Sequence, residues 1–351
     1  MQHIIDQFTQ TIDEARSRQQ PLRIRGGGTK DFYGGTLSGD VLDTKPYAGI
    51  VDYEPTELVI TARAGTRVSE IESAMRERGQ MLGFEPPHFG VGSTLGGCIA
   101  AGLSGPRRPH AGSARDLVLG ARVLDGKGTD LRFGGQVMKN VAGYDVSRLM
   151  VGSMGTLGLI LEISLKALPR PAAEATLRRE LGAADAIELM NAWVGKPLPI
   201  TATCHVDGQL YVRLSGAEPA VRAARQRLGG EDVDGTAVWQ RVRDHELAFF
   251  RTTEPLWRLS LKSTTPPLLL GGTQLIEWNG ALRWLITNAD AGAIREAAAR
   301  AGGHATLFRG ENKAPGVFHP LSPALLKLHR RIKGTFDPDG ILNRGRMYAE
   351  F

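Results

Sequence analysis

The residues best suited to chemistry in this chain have no side chains. Leu22-Arg23-Ile24-Arg25 reads as a short strand, and it runs straight into Gly26-Gly27-Gly28-Thr29-Lys30. Consecutive glycines tolerate φ > 0, so their N–H groups can turn toward one point. Such a concavity holds a phosphate or pyrophosphate with main-chain dipoles alone. A flexible surface turn has the same composition, and this loop by itself leaves both readings open. Two further glycine-rich stretches shift the balance: Gly90 to Gly105, and Gly152-Ser153-Met154-Gly155-Thr156-Leu157-Gly158. Glycine makes up 44 of the 351 residues, where a share of about 7% is usual. The glycines follow apolar runs and form neither a collagen period nor a linker tract, which points to close approach of backbone and ligand.

Side chains with reactive chemistry are few. His88 and His110 sit in glycine-rich loops and are candidate bases, although a lone histidine is more often structural. Arg115 and Asp116 read first as an ion pair or cap. Lys139, Asn140 and Tyr144 suit either ligand contact or loop packing. Cys98 and Cys204 are the only cysteines and form no CxxC pair, so there is no iron–sulfur cluster, zinc site or disulfide framework to propose. Cys98 reads as a small buried residue. The usage suits a reducing cytosol.

Several function classes are disfavoured. The glycine loop lacks the G-x-G-x-x-G spacing of a Rossmann fingerprint, and Thr29-Lys30 reverses the order of a Walker motif. The net charge of +6 and pI near 9.4 fit an anionic ligand. No basic block interleaves with aromatics, so nucleic-acid binding is not indicated. The N-terminus is polar within a turn and does not read as a signal peptide. No apolar run approaches the roughly 20 residues that span a bilayer, so a membrane would be met only through a partner.

The elements that must position these residues follow from periodicity. Ile4, Ile5, Phe8, Ile12 and Ala15 recur at helical spacing over residues 2–19, with Pro21 as a stop. Strands are expected at Leu22–Arg25, Gly49–Tyr53, Glu57–Ala62 and Met81–Phe84, and a helix at Val68–Arg78. Ser93 is the expected N-cap of a helix of small residues. Leu117–Leu124 and Thr129–Phe133 form an expected hairpin, and Thr156–Leu168 a long strand. Past residue 172 the glycines thin out. Helices are expected at Ala183–Trp193, Glu218–Leu228, Val238–Phe250 and Ala291–Ala301. Strands are expected at Thr201–Val206, Gln209–Leu214, Trp257–Leu261, Leu275–Trp278 and Ala281–Leu285. This is the pattern of an α+β domain with an antiparallel sheet. A last helix at Pro323–Lys333 precedes the tail.

Five ordered motifs carry a resemblance: Arg25 to Thr29 (R-G-G-G-T), Pro86 to Gly97, Gly112-Ser113-Ala114-Arg115-Asp116-Leu117-Val118-Leu119-Gly120, Lys139 to Asp145 followed by Gly152 to Gly158, and Phe336 to Gly345. Together they cover most of the chain. The sequence resembles the vanillyl-alcohol oxidase / para-cresol methylhydroxylase (PCMH) family. That resemblance implies an α+β fold: a PCMH-type FAD-binding domain of two α/β subdomains at 1–170, a smaller antiparallel-sheet α+β cap at 171–320, and a tail at 321–351 that returns to the FAD domain.

It further implies noncovalent FAD, since Thr29 stands where covalent members place a histidine. Arg25, Gly26, Gly27, Gly28, Thr29 and Lys30 would face the pyrophosphate. Pro86, Gly92, Ser93, Thr94, Gly96 and Gly97 would pass the isoalloxazine and phosphates. Ser104, Gly105, Gly112, Ser113 and Asp116 would continue that wall. Gly155, Thr156, Gly158 and Ile160 would line the adenine end, and Asn343 the flavin rim. Three further stretches, Gly83 to Gly90, Ala101 to Pro109 and Arg132 to Asp145, resemble the smaller flavin-binding subunits of bacterial glycolate-oxidising complexes. That implies as partners a larger FAD-containing subunit and an iron–sulfur subunit, with glycolate, a small 2-hydroxy acid, as substrate of the assembly. Two alternatives stay open: a stand-alone FAD-dependent 2-hydroxy-acid dehydrogenase using His88 or His110, and a non-redox scaffold. The histidine-rich H-x-G-D-G-N-x-H metal motif of catalytic members is absent, and Arg344 stands where the family tail has proline.

Overall fold

The computed structural model describes residues 1–135 and 145–351. The motif residues Lys139, Asn140 and Tyr144 lie outside the described residues. The chain divides into two compact units. The first joins Met1–Leu103, Ser113–Pro169 and Pro320–Phe351; the second joins Ser104–Gly112 to Arg170–His319.

The first unit is built on a five-stranded antiparallel sheet in the order Ile50–Glu54, Val59–Arg63, Leu159–Lys166, Val118–Leu124, Asp130–Gly134. Its central strand opens on the apolar run Leu159-Ile160-Leu161, where both faces are covered. Ile160, Ile163 and Leu165 join a core with Ile71, Met75, Phe84 and Ile99, while Leu159 and Leu161 join another with Ile5, Phe8 and Ile12. A register shift opposite Arg122 and Val123 lets neighbouring residues serve both sides. A second, two-stranded sheet pairs Leu22–Arg25 with Asp40–Asp43 in parallel, and Leu342 bridges onto Leu22. The helix Gln2–Arg18 packs Ile4, Ile5, Phe8, Ile12 and Ala15 inward.

Local departures from the sequence pattern have identifiable causes. The strand expected at Met81–Phe84 shrinks to Gln80–Met81, because Glu85 turns to φ 45° and Phe84 buries itself instead. The long strand begins at Leu159 and not Thr156, whose hydroxyl closes a turn by donating to the Ser153 carbonyl at 2.7 Å. Thr94, not Ser93, is the N-cap of helix Leu95–Ala101 and accepts from Gly97 N at 3.4 Å.

The second unit is an eight-stranded, wholly antiparallel sheet in the order Glu231–Val233, Ala173–Glu180, Gln209–Gly216, Ile200–Val206, Thr273–Glu277, Leu282–Ile286, Leu256–Ser260, His304–Arg309. The strands Ala173–Glu180 and His304–Arg309 carry no clear alternation and emerge only from pairing. The helix expected at Val238–Phe250 runs from Gly235 to Arg243; Asp234 caps its start, and His245 at φ 57° lies beyond its end.

Candidate functional site

The first unit holds a cavity that draws its lining from all three of the unit's chain segments. Arg25, Gly26, Gly27, Gly28, Thr29, Lys30, Thr94, Gly96, Gly97, Gly155, Gly158, Ile160 and Asn343 all line it. The three glycine regions, far apart in sequence, therefore meet at one place.

Glycine is required there for two different reasons. A Cβ on Gly27 would sit 1.6 Å from the Gly92 carbonyl oxygen, and one on Gly26 would sit 2.2 Å from Thr94 Oγ1. Gly28 takes φ 71°, a conformation that other residues avoid. Among the described residues, the amides of Gly26, Gly27 and Gly28 donate to no protein acceptor. A buried or half-buried N–H without a partner is costly, so a loop with three of them at a cavity wall is suited to an external anion. Gly155 (φ 72°) and Gly96 are packed as tightly, against Asn343 Nδ2 at 2.6 Å and Ala64 Cβ at 2.8 Å from a notional Cβ.

Charge adds to the dipoles. Among the described residues, three cations, Arg25, Lys30 and Arg346, line the cavity against one carboxylate, Asp31. Asp31 is shared between Arg23 at 2.8 Å and Arg25 at 2.9 Å. Lys30 Nζ is held by Ser93 Oγ at 3.0 Å and the His88 carbonyl at 3.3 Å. Arg346 is buried and donates to the carbonyls of Gly35 (2.5 Å) and Tyr33, with burial pushing its pKa down to about 10. It therefore stays charged at neutral pH. Sequence reasoning missed Arg346 and Asp31, because their contribution depends on the tail crossing the 31–35 loop.

The tail fixes the cavity wall from behind. Asn343 Oδ1 accepts from Ile24 N at 2.7 Å and its Nδ2 donates to the Met154 carbonyl at 2.6 Å, so one amide joins the first strand to the third glycine region. Below it, buried Lys333 donates to Asp337 at 2.6 Å, to the Thr156 carbonyl at 2.7 Å and to the Leu342 carbonyl at 2.9 Å. Asp337 also accepts from Ile341 N and Leu342 N.

The remaining sequence-predicted residues lie elsewhere. Gly92 and Ser93 stand behind the wall, touching Gly27 and Lys30. Pro86 is buried outside it, and Thr156 is spent on the Ser153 turn. Ser113 and Asp116 close a capping box around Ala114–Leu117, with Asp116 Oδ2 accepting from Ser113 N at 2.8 Å. Ser104, Gly105 and Gly112 belong to the second unit, as does His110. The His88 imidazole is 3.2 Å from Glu72 and outside the cavity wall. Burial pushes the Cys98 thiol up to about 11, which fits an inert packing residue.

Comparison with known proteins settles the lineage. Residues 4–134 match a family described as "FAD binding domain", and residues 293–347 match "FAD linked oxidases, C-terminal domain". The chain is 51% identical to the glycolate oxidase subunit GlcE of Escherichia coli (strain K12) over 339 residues, covering 97% of this chain and 96% of that protein. The chain belongs to the FAD-linked oxidase family that includes GlcE. It is an FAD-binding oxidoreductase chain with a PCMH-type FAD domain. The glycolate oxidase subunit GlcD of Bacillus subtilis (strain 168) is 33% identical over 175 residues, 49% of this chain and 37% of GlcD. In fold, an alkyldihydroxyacetonephosphate synthase superposes with a TM-score of 0.66 at 15% identity, covering 95% of this chain and 73% of the synthase. FAD of this family fits the cavity by the tests above: space that side chains would fill, unbonded amides and surplus positive charge.

Proposed function

We propose that this chain is the FAD-binding accessory subunit of a glycolate oxidase complex, acting beside a larger flavin subunit and an iron–sulfur subunit. The observation that carries the reading is the likeness to GlcE through both units, where GlcD covers only half of the chain. When bound, FAD supplies two-electron chemistry, accepting reducing equivalents and passing them on. The chain's own residues do the holding. Gly26 to Gly28 offer main-chain donors to the pyrophosphate, Lys30 and Arg346 add charge-assisted contacts, and Asn343 keeps the first strand and the 154–158 turn in register. We assign no base to this subunit, and substrate oxidation falls to the larger flavin subunit. His88, held beside Glu72 and away from the cavity wall, supports that division. The cofactor is noncovalent on this reading.

Subunit docking has a candidate face. Helix Pro323–Phe336 exposes Leu325 and Leu328 beside Lys327, Arg330 and Arg331, with no acidic residue along its length. That ridge suits an acidic-rimmed surface of the partner subunit. Among the described residues no helix is long and apolar enough to cross a membrane; any association with the inner membrane is proposed to run through the complex.

The test is purification of the chain alone and with its two companions. We expect a yellow protein whose flavin is released by acid denaturation, and a Gly27→Asp variant that is folded but colourless. Full glycolate oxidation by a complex containing that variant would refute a redox role and leave a scaffold.

A further inference from the structure

The second unit carries its own cleft, open to solvent along Pro109, His110 and Val194 to Lys196, which shares no residue with the FAD cavity. It lies among the Arg108–Ala111 turn, the end of helix Ala183–Trp193 and the start of strand Ile200–Val206. Met190, Trp193, Leu198 and Ile200 give it apolar walls. Its polar side chains are the His110 imidazole, the Lys196 ammonium, the Asn279 amide and the Thr201 hydroxyl, the last of which accepts from Arg213 Nε at 3.1 Å. Among the described residues, neither the His110 ring nor Lys196 Nζ has a hydrogen-bond or ionic partner. Among the described residues no Asp or Glu lines the cleft.

The orientation of Asn279 is fixed. Its backbone N–H donates to Thr203 Oγ1 at 2.9 Å, so the Thr203 hydroxyl proton goes to Asn279 Oδ1, 3.1 Å away. The NH2 end is left unbonded at the cavity wall. That geometry comes at a cost in backbone strain. Trp278 and Asn279 take φ 53° and 56° in succession, a left-handed conformation that is unfavourable for residues other than glycine. The turn is held there by Asn191 Nδ2 donating to the Asn279 carbonyl at 3.2 Å and by Trp278 Nε1 donating to the Gly105 carbonyl at 3.1 Å. Backbone strain over-determined by its surroundings and located at a cavity points to a ligand. The sign of that ligand follows from the charges. Burial, then the Arg107 and Arg213 guanidiniums, hold His110 below its ordinary pKa, so the site already lies in positive potential.

We propose that this cavity binds a small organic carboxylate with an apolar body, its head on His110, Lys196 and Asn279 and its tail against Trp193 and Leu198. The inference does not depend on the glycolate oxidase assignment. Calorimetric titration of the full-length, FAD-loaded chain with hexanoate and with hexanamide tests it. Hexanoate is expected to saturate one site and to bind at least about tenfold tighter than the uncharged amide, a charge-assisted contact being roughly twice as strong as a neutral one. Lys196→Gln and His110→Gln are each expected to weaken hexanoate about tenfold and to leave hexanamide and flavin content unchanged, and Lys196→Arg to restore the affinity. Equal binding of acid and amide by the unaltered chain, no binding of hexanoate, or hexanoate binding indifferent to both substitutions would each overturn the proposal.

Discussion

Gly27 shows how a missing side chain becomes a functional group. The neighbour that a Cβ would meet is a backbone carbonyl, 1.6 Å away, so no rotamer change relieves the clash. Gly27→Ala should therefore push the 26–29 loop out of the cavity and weaken FAD retention at least about tenfold, read as flavin-to-protein ratio after gel filtration. Gly79 is the control. It has φ 65° but open space around a Cβ, so Gly79→Ala should lower stability by about 1 kcal/mol and leave flavin content alone. Asn343 illustrates the opposite case, a polar side chain spent wholly on backbone. Asn343→Ala strips partners from Ile24 N and the Met154 carbonyl, and denaturant unfolding should report a loss of about 2–4 kcal/mol.

At the scale of elements, titratable groups held out of water dominate. The tail is held by the Lys333–Asp337 pair, both residues under 5% exposed. Removing one member leaves the other charge buried, so Asp337→Ala should cost about 3–5 kcal/mol, measured by chemical denaturation. In the second unit, His245 is partly buried, stacked on Phe250 at 3.9 Å and edge-on to Trp284. Burial first, then Arg309 and Arg258, push its pKa well below 6.5. The folded chain thus keeps His245 neutral while the unfolded chain takes up a proton below about pH 6.5, so stability falls as pH drops through that range. His245→Phe should flatten the acid limb of the stability–pH curve, with a slope change of at most about 1.4 kcal/mol per pH unit. The elements themselves were legible where periodicity is strong, as in Gln2–Arg18 and Ala183–Trp193. Ser93 and Thr94 are both good caps by type. What separates them is a tertiary contact, Val68 N donating to the Ser93 carbonyl, which sets where the helix can start.

For the whole molecule, the reach of sequence reasoning tracks how local each cause is. The glycine loops could be read because the need for glycine is written in the residue type. Arg346, the Trp278–Asn279 strain and the membership of Ser104–Gly112 in the second unit could not, since each depends on partners far away in the chain. Arg107, for instance, is held by Ser215 at 3.0 Å and Glu174 at 2.5 Å. The same non-locality shapes the last prediction. The FAD cavity draws wall residues from all three segments of the first unit: Gly26 to Lys30 with Thr94, Gly96 and Gly97, then Gly155, Gly158 and Ile160, then Asn343 and Arg346. A ligand that touches all three stabilises their association and not any one of them. Adding FAD to the deflavinated chain at a hundredfold excess over its dissociation constant should stabilise the folded form by about 2.7 kcal/mol. Cleavage by a dilute protease within residues 337–351 should slow along with cleavage in the 26–37 loop, because both become exposed in the same opening event. If FAD protected the loop while the tail was cut at its old rate, the tail would not be part of the binding unit, and the clamp assigned to Asn343 would have to be abandoned.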